Sequence, residues 1–186
     1  MTIPESVTSI DAGAFAGCSI SVNVSRENKN YCSVDGGLYD KQKTTILHPG
    51  KIQNGTFRIP DGVTSIGDYA FDGYRSLTNV TIPDSVSSLA YFAFGGCTQL
   101  KEVTLPANIE TIAGSTFEKC SGLESVTIPG TKTIGESAFF GCTSLTSVTI
   151  SEGVETIGES AFLSCNKLTS VTIPKSVKSI GKNAFS

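Results

Sequence analysis

The sequence predicts a β-rich α/β repeat solenoid, and three observations carry that prediction. One phrase recurs along nearly the whole chain: S-V-T-I-P, a few polar residues, V-x-S-I-G, then A-F-x-G-C-x-x-L. Its spacing is fixed. Anchored on the proline, copies begin at Pro60, Pro83, Pro106, Pro129, Ser151 in place of proline, and Pro174, at steps of 23 residues with one step of 22. Within each copy the apolar residues recur at the same places and end in a strand-like alternation. A period of this size marks supersecondary units stacked on one another. Residues 1–186 are therefore expected to form a single solenoid of about eight coils of 22–23 residues, the first and last truncated.

The copy from Leu100 to Cys120 shows how a coil is built. Leu100, Val103, Leu105, Ile109, Ile112, Phe117 and Cys120 are apolar and most other positions are polar, small or turn-forming, so these seven point inward. The L-x-x-V-x-I spacing recurs as Leu77/Val80/Ile82, Leu123/Val126/Ile128, Leu145/Val148/Ile150 and Leu168/Val171/Ile173. It closes on the period-two alternation of a strand. Proline cannot donate to a ladder, so Pro83 and its equivalents fit the last strand residue or the corner beyond it. Val86/Leu89 and Val154/Ile157 follow at a spacing of three and lead into the Ala-Phe turn. Here an irregular return path with a short helical turn is expected. The glycines Gly67, Gly135, Gly158 and Gly181 serve one recurring turn that favours positive φ, although Ala90, Ala113 and Asp11 stand at the same place elsewhere. One copy buries too little to offset the ordering of its backbone, so coils stabilise one another by stacking.

The ladder of phenylalanines, 15, 71, 94, 117, 139, 162 and 185, breaks once, with a first step of 56 residues. Residues 26–57 hold the extra chain. Turn signals at Asp35-Gly36-Gly37 and from Asp40 to Lys43 flank short β-rich runs, which predicts an inserted β-hairpin. The strand Ser21 to Val24 is expected to pair with its neighbours before the hairpin projects, and Phe57-Arg58-Ile59-Pro60 to return to register. A structural insertion that covers the core or decorates one edge is favoured over a ligand-binding loop, because the segment has local structure of its own.

With 14 Lys and Arg against 17 Asp and Glu, a net charge of −3 and a pI near 5.2, the chain has no basic stripe. Nucleic acid is not an expected partner, since the counterion-release term is missing. No run of 18 apolar residues occurs, so direct membrane insertion is not expected. The start, Met1-Thr2-Ile3-Pro4, lacks the features of a signal peptide. Because the chain opens and stops inside the motif, it is expected to be a piece of a longer protein, with any signal or anchor lying elsewhere.

Ser147 to Leu168 and Ser170 to Phe185 carry the phrase S-V-T-I-P-x-S-V-x-S-I-G-x-x-A-F-x-G-C-x-x-L nearly whole, and it resembles the BspA-like leucine-rich repeats. The insert from Asn28 to Gly50 resembles the N-x-x-Y-x-S-x-D-G-x-L-Y/F-x-K segment common in that family. The resemblance implies a leucine-rich-repeat right-handed superhelix with a parallel sheet on its concave face. It also implies large secreted or surface-attached proteins of host-associated bacteria and some parasitic protozoa, several implicated in adhesion, with no shared catalytic site. Local departures are Tyr74 in place of cysteine, Ser151 in place of proline, and Lys119 and Ser164 in place of the glycine before cysteine.

Three columns invite a functional interpretation. Cys18, Cys97, Cys120, Cys142 and Cys165 each follow the repeat phenylalanine by three. Buried free thiols explain them better than a disulfide ladder, because parallel side chains would hold their β-carbons near ~4.8 Å, at or beyond the usual limit. Tyr74 at the same place agrees with packing. There is no C-x-x-C, and the single histidine, His48, belongs to the insert, so neither zinc nor any other cofactor is expected. Thr81, Thr104, Thr127, Thr149 and Thr172 face outward from the strands. An ice-binding or carbohydrate-facing lattice is one explanation; β-propensity and Thr–Thr contacts explain the column more cheaply. Three sequons, at Asn23, Asn54 and Asn79, are ascribed to the abundance of Ser and Thr.

The third column is irregular and is where binding is expected. Thr78, Asn79, Lys101, Glu102, Glu124, Thr146 and Thr169 lie on the concave strand face beside the threonines, and the charged members are the most distinctive. A solvated face kept soluble by a few charges is the alternative. No enzyme is expected: acids are scattered, no Ser/His/Asp set can be built around His48, and no glycine-rich phosphate loop follows a strand. The expected function is a non-enzymatic extracellular or cell-surface recognition module that binds a host or microbial protein or glycan. A structural spacer projecting other domains is the alternative. Exposed terminal coils also leave room for end-to-end self-association.

Overall fold

A computed structural model describes all residues, 1–186. Sixteen short strands and no helix make up the chain. Strands of the V-x-I phrase are β1 (Thr2–Ile3), β2 (Asn23–Val24), β6 (Thr56–Arg58), β8 (Asn79–Thr81), β10 (Glu102–Thr104), β12 (Ser125–Ile128) and β14 (Ser147–Ile150). Strands at the S-I-G position are β7 (Ser65–Ile66), β9 (Ser88–Leu89), β11 (Thr111–Ile112), β13 (Thr133–Ile134), β15 (Thr156–Ile157) and β16 (Ser179–Ile180). The insert supplies β3 (Tyr31–Val34), β4 (Gly37–Asp40) and β5 (Thr45–His48).

Each regular coil thus contributes two strands on two faces. The V-x-I strands pair in parallel in three groups, β1-β2, β6-β8 and β10-β12-β14. The S-I-G strands form one continuous ladder in which Ser65, Ser88, Thr111, Thr133, Thr156 and Ser179 stand opposite one another in turn. That ladder runs on through β5 into β4 and β3, which are antiparallel. The insert is therefore a three-stranded meander that continues the second sheet.

The expected helical turn is absent, and the backbone shows why. Between the S-I-G strand and the cysteine, two residues per coil are left-handed: Tyr69 and Gly73, Phe92 and Gly96, Ser115 and Lys119, Ser137 and Gly141, Ser160 and Ser164. Such residues interrupt a right-handed helix. Amides here alternate between local turns and the next coil: Ala70 N–H donates to Gly67 O at 3.2 Å and Asp72 N–H to Tyr69 O at 3.1 Å, while Phe71 N–H donates to Ala93 O at 2.8 Å and Gly73 N–H to Gly95 O at 2.7 Å. The turn is satisfied by stacking, so it needs no helix of its own.

The recurring glycine also differs from expectation. Gly67, Gly135, Gly158 and Gly181 do not have positive φ. They are small because coils approach closely there: a β-carbon on Gly135 would lie 2.6 Å from the carbonyl carbon of Ala113, and one on Gly158 2.6 Å from the amide nitrogen of Glu136. Where alanine stands instead, the inter-coil bond is longer, 3.0 Å for Ala90 N–H to Ile66 O and 3.4 Å for Ala113 N–H to Leu89 O, against 2.8 Å at Gly135 and Gly158.

The main core runs continuously from the insert to the last coil. Its axis is a stack of phenylalanine rings, Phe71, Phe94, Phe117, Phe139, Phe162 and Phe185, with successive centroids 4.9, 5.3, 5.2, 5.1 and 5.2 Å apart. Beside it run the thiols, all free. Cys97 Sγ donates to Phe71 O at 3.1 Å, Cys120 to Phe94 O at 3.0 Å, Cys142 to Phe117 O at 3.2 Å and Cys165 to Phe139 O at 3.3 Å. Burial pushes the Cys120 and Cys142 thiols well above their ordinary range and Cys165 up to about 11, so these cysteines act as small core residues with one weak donor each. Cys18, by contrast, is exposed.

The N-terminal coil shares a small core with the insert, Ile3 and Val22 packing with Leu38 of β4. Asn28, fully buried, knits it to the insert: its Nδ2 donates to Pro4 O and Val7 O, and its Oδ1 accepts from the amides of Asn30 and Tyr31.

Candidate functional site

Of the expected binding residues, Asn79 and Glu102 open strands β8 and β10, Thr78, Lys101, Glu124 and Thr146 lie just before strands, and Thr169 lies in a coil whose V-x-I segment forms no strand. In β10, β12 and β14 the buried and exposed residues alternate, with Val103, Val126 and Val148 inside and Thr104, Thr127 and Thr149 in register outside. Asn79, Lys101, Glu102, Glu124, Thr146 and Thr169 are exposed, and Thr78 is half-buried. Two of them meet directly: Lys101 Nζ donates to Glu124 Oε1 at 2.9 Å across adjacent coils. The hydrogen bond and charge of Lys101 hold the Glu124 carboxyl below its ordinary value. Two others are turned onto the backbone, Thr78 Oγ1 donating to Gly55 O at 2.9 Å and Thr146 Oγ1 to Glu124 O at 3.1 Å. The threonine column is interrupted, because Thr81 of β8 stands opposite Arg58 of β6 and the sheet breaks between β8 and β10.

A second surface feature lies at the corner entering the Ala-Phe turn. The residue two before the ladder phenylalanine is left-handed in every coil: Gly13, Tyr69, Phe92, Ser115, Ser137, Ser160 and Asn183. Five of these are Gly, Ser or Asn, small residues that suit a sharp turn. Tyr69 and Phe92 are bulky aromatics in a conformation that costs such residues free energy. They sit in adjacent coils with their rings stacked, centroids 5.0 Å apart and planes 5° from parallel. Next to them Tyr91 is 60% exposed. Sequence reasoning passed over this group, although aligning the column two before each phenylalanine would have placed the two aromatics side by side.

The sequence profile described as BspA type Leucine rich repeat region matches in six copies, over residues 1–45, 50–133 and 121–186. The chain belongs to the BspA-type leucine-rich repeat family. Among solved structures, this BspA-type chain is similar to a leucine-rich repeat protein from Eubacterium ventriosum, with 30% identity and a TM-score of 0.79, covering 99% of this chain and 57% of that one. It is similar to a leucine rich cell surface protein from Faecalibacterium prausnitzii, with 29% identity and a TM-score of 0.63 over 81% of this chain and 47% of that one. A leucine-rich repeat protein from Bacteroides ovatus shares 28% identity and a TM-score of 0.55, covering 100% of this chain and 57% of that one. The chain thus spans about half the length of these solved relatives. No curated protein matches it. No helix is long and apolar enough to cross a membrane.

Proposed function

We propose that this BspA-type solenoid is a non-enzymatic recognition module of a bacterial cell-surface protein, contacting a host or microbial protein or glycan through its outer surface. The observation that carries the proposal is the V-x-I face. Its backbone is held coil to coil, with Glu124 N–H donating to Lys101 O at 2.9 Å and Thr146 N–H to Glu124 O at 2.9 Å, so a partner meets a surface whose backbone is already ordered. Likeness to a leucine rich cell surface protein at 29% identity supports the location. His48 does not present a catalytic imidazole to solvent: it is fully buried, with Nε2 3.0 Å from Ile20 O.

Replacing Lys101, Glu102 and Glu124 together by alanine tests the face. All three are exposed, so thermal stability should hold while adhesion of the parent protein to cells or matrix falls at least tenfold. Unchanged adhesion would remove the V-x-I face from the proposal. The spacer alternative is favoured by the uniformity of the phenylalanine stack, whose centroid steps stay between 4.9 and 5.3 Å. It requires adhesion to survive any change on this surface.

A further inference from the structure

Beside the aromatic corner lies a cleft of about 280 Å³, spanning three coils. Gly95 is part of its lining. The position after each ladder phenylalanine is occupied by Ala16, Asp72, Gly95, Glu118, Phe140, Leu163 and Ser186, so Gly95 is flanked by two carboxylates, one coil away on either side. Gly95 is not left-handed, hence the backbone does not demand glycine there. What glycine provides is close approach by two side chains of the cleft: a β-carbon would lie 2.5 Å from Asp72 Oδ1 and 3.1 Å from the Phe92 ring.

The groups around the gap select a chemistry. Phe92 supplies an apolar wall, stiffened by Tyr69 stacked behind it. Asp72 and Glu118 are matched in number by Arg75 and Lys119, which also line the cleft. Lys119 Nζ lies 2.9 Å from Glu118 Oε1, and the Glu118 side chain is only 16% exposed. With charge balanced, the rim favours neither a cation nor an anion. It offers instead two carboxylate acceptors together with a guanidinium and an ammonium donor, suited to a ligand whose every edge is a hydroxyl. The volume lies just under the ~300 Å³ at which drug-sized sites begin, room for one small ring.

We propose that this cleft binds a neutral hexopyranose unit of a glycan, its C–H face against Phe92 and its hydroxyls on the Asp72 and Glu118 carboxylates and the Arg75 guanidinium. The broken pattern then has a reason: strained aromatics persist at Tyr69 and Phe92 where the other coils use small residues, because a site is built on them. This deepens the recognition proposal and rests on it for the kind of role, but it occupies a surface separate from the V-x-I face.

The test is saturation-transfer NMR of the whole chain with maltotriose, cellotriose, mannotriose, lactose and N,N′,N″-triacetylchitotriose. At least one should show transfer that saturates with concentration. Phe92→Ser and Gly95→Leu should each weaken that binding tenfold or more while keeping the melting temperature, since serine and leucine already occupy those columns at Ser115 and Leu163. The Lys101/Glu102/Glu124 triple alanine variant should bind as the parent does. Absence of transfer from all five sugars, or transfer undiminished in both cleft variants, overturns the site. Adhesion that persists without sugar binding overturns this site alone and leaves recognition by the V-x-I face standing; sugar binding that falls in both cleft variants while the triple variant adheres undiminished does the reverse.

Discussion

Tyr74 Oη sits 3.1 Å from His48 Nδ1, at the one place in the cysteine column where a tyrosine stands. The two rings join the N-terminal coil to the rest of the solenoid. Tyr74 Oη also lies 2.8 Å from Cys18 O and 2.9 Å from Gly50 O, while His48 Nε2 lies 3.0 Å from Ile20 O and its ring packs 5.1 Å from Phe15. Since a carbonyl can only accept, Nε2 carries the proton and Nδ1 is the acceptor. The insert has displaced the regular coil, and a histidine and a tyrosine fill the axis between Phe15 and Phe71.

Stability should therefore fall in mild acid. Burial holds the His48 pKa below its ordinary 6.5, with the Ile20 carbonyl opposing in part. The unfolded chain takes up the proton first as pH drops, so the contribution of His48 is complete above about pH 6.5 and is lost as pH falls through the folded value. Urea midpoints at pH 7.5 and 5.5 should show a larger loss in the parent than in His48→Gln. Equal losses would assign the pH dependence to other groups.

The phenylalanine axis should be graded by position. Phe117, fully buried between Phe94 and Phe139, should cost about 3–5 kcal/mol on truncation to alanine. Phe15, half-buried and packed on the His48 ring instead of between two phenylalanines, should cost less, about 1–3 kcal/mol. Chemical denaturation of the two variants checks the ratio.

Thiol chemistry should separate the cysteines into two classes. Under native conditions at pH 8 a disulfide reagent such as dithionitrobenzoate should react promptly at exposed Cys18 and more slowly at half-buried Cys32, whose thiol burial also raises. Cys97, Cys120, Cys142 and Cys165, all buried, should react only on unfolding. Mass spectrometry of the labelled peptides reads the order directly.

Close approach of coils should make Gly158→Ala destabilising by about 1–3 kcal/mol through overpacking. The added carbon would meet the backbone of Gly135 and Glu136. Backbone has nowhere to move, unlike a side-chain tip, so a Tm equal to the parent's would contradict the geometry.

Much of this architecture was legible beforehand because a repeat states each structural requirement several times. Val103, Val126 and Val148 alternate with Thr104, Thr127 and Thr149, and that period of two assigns inside and outside without any knowledge of the fold. The cysteine column read as packing for the same reason. The helical turn was misjudged because a spacing of three between Val86 and Leu89 suits both a helix and a strand that rounds a corner; the left-handed residues Phe92 and Gly96 decide between them.

By itself, then, the sequence determined that coils of 22–23 residues stack, which residues face the core, and where the regularity breaks, since all three follow from hydrophobic periodicity along the chain. Only the tertiary structure decided that the insert prolongs the second sheet, that Tyr74 meets His48, and that Phe92, Gly95, Asp72 and Glu118 enclose a cleft. Each of these depends on a contact between residues about 20 or more positions apart, set by the register of one coil on the next, and no local pattern encodes a distance across that gap.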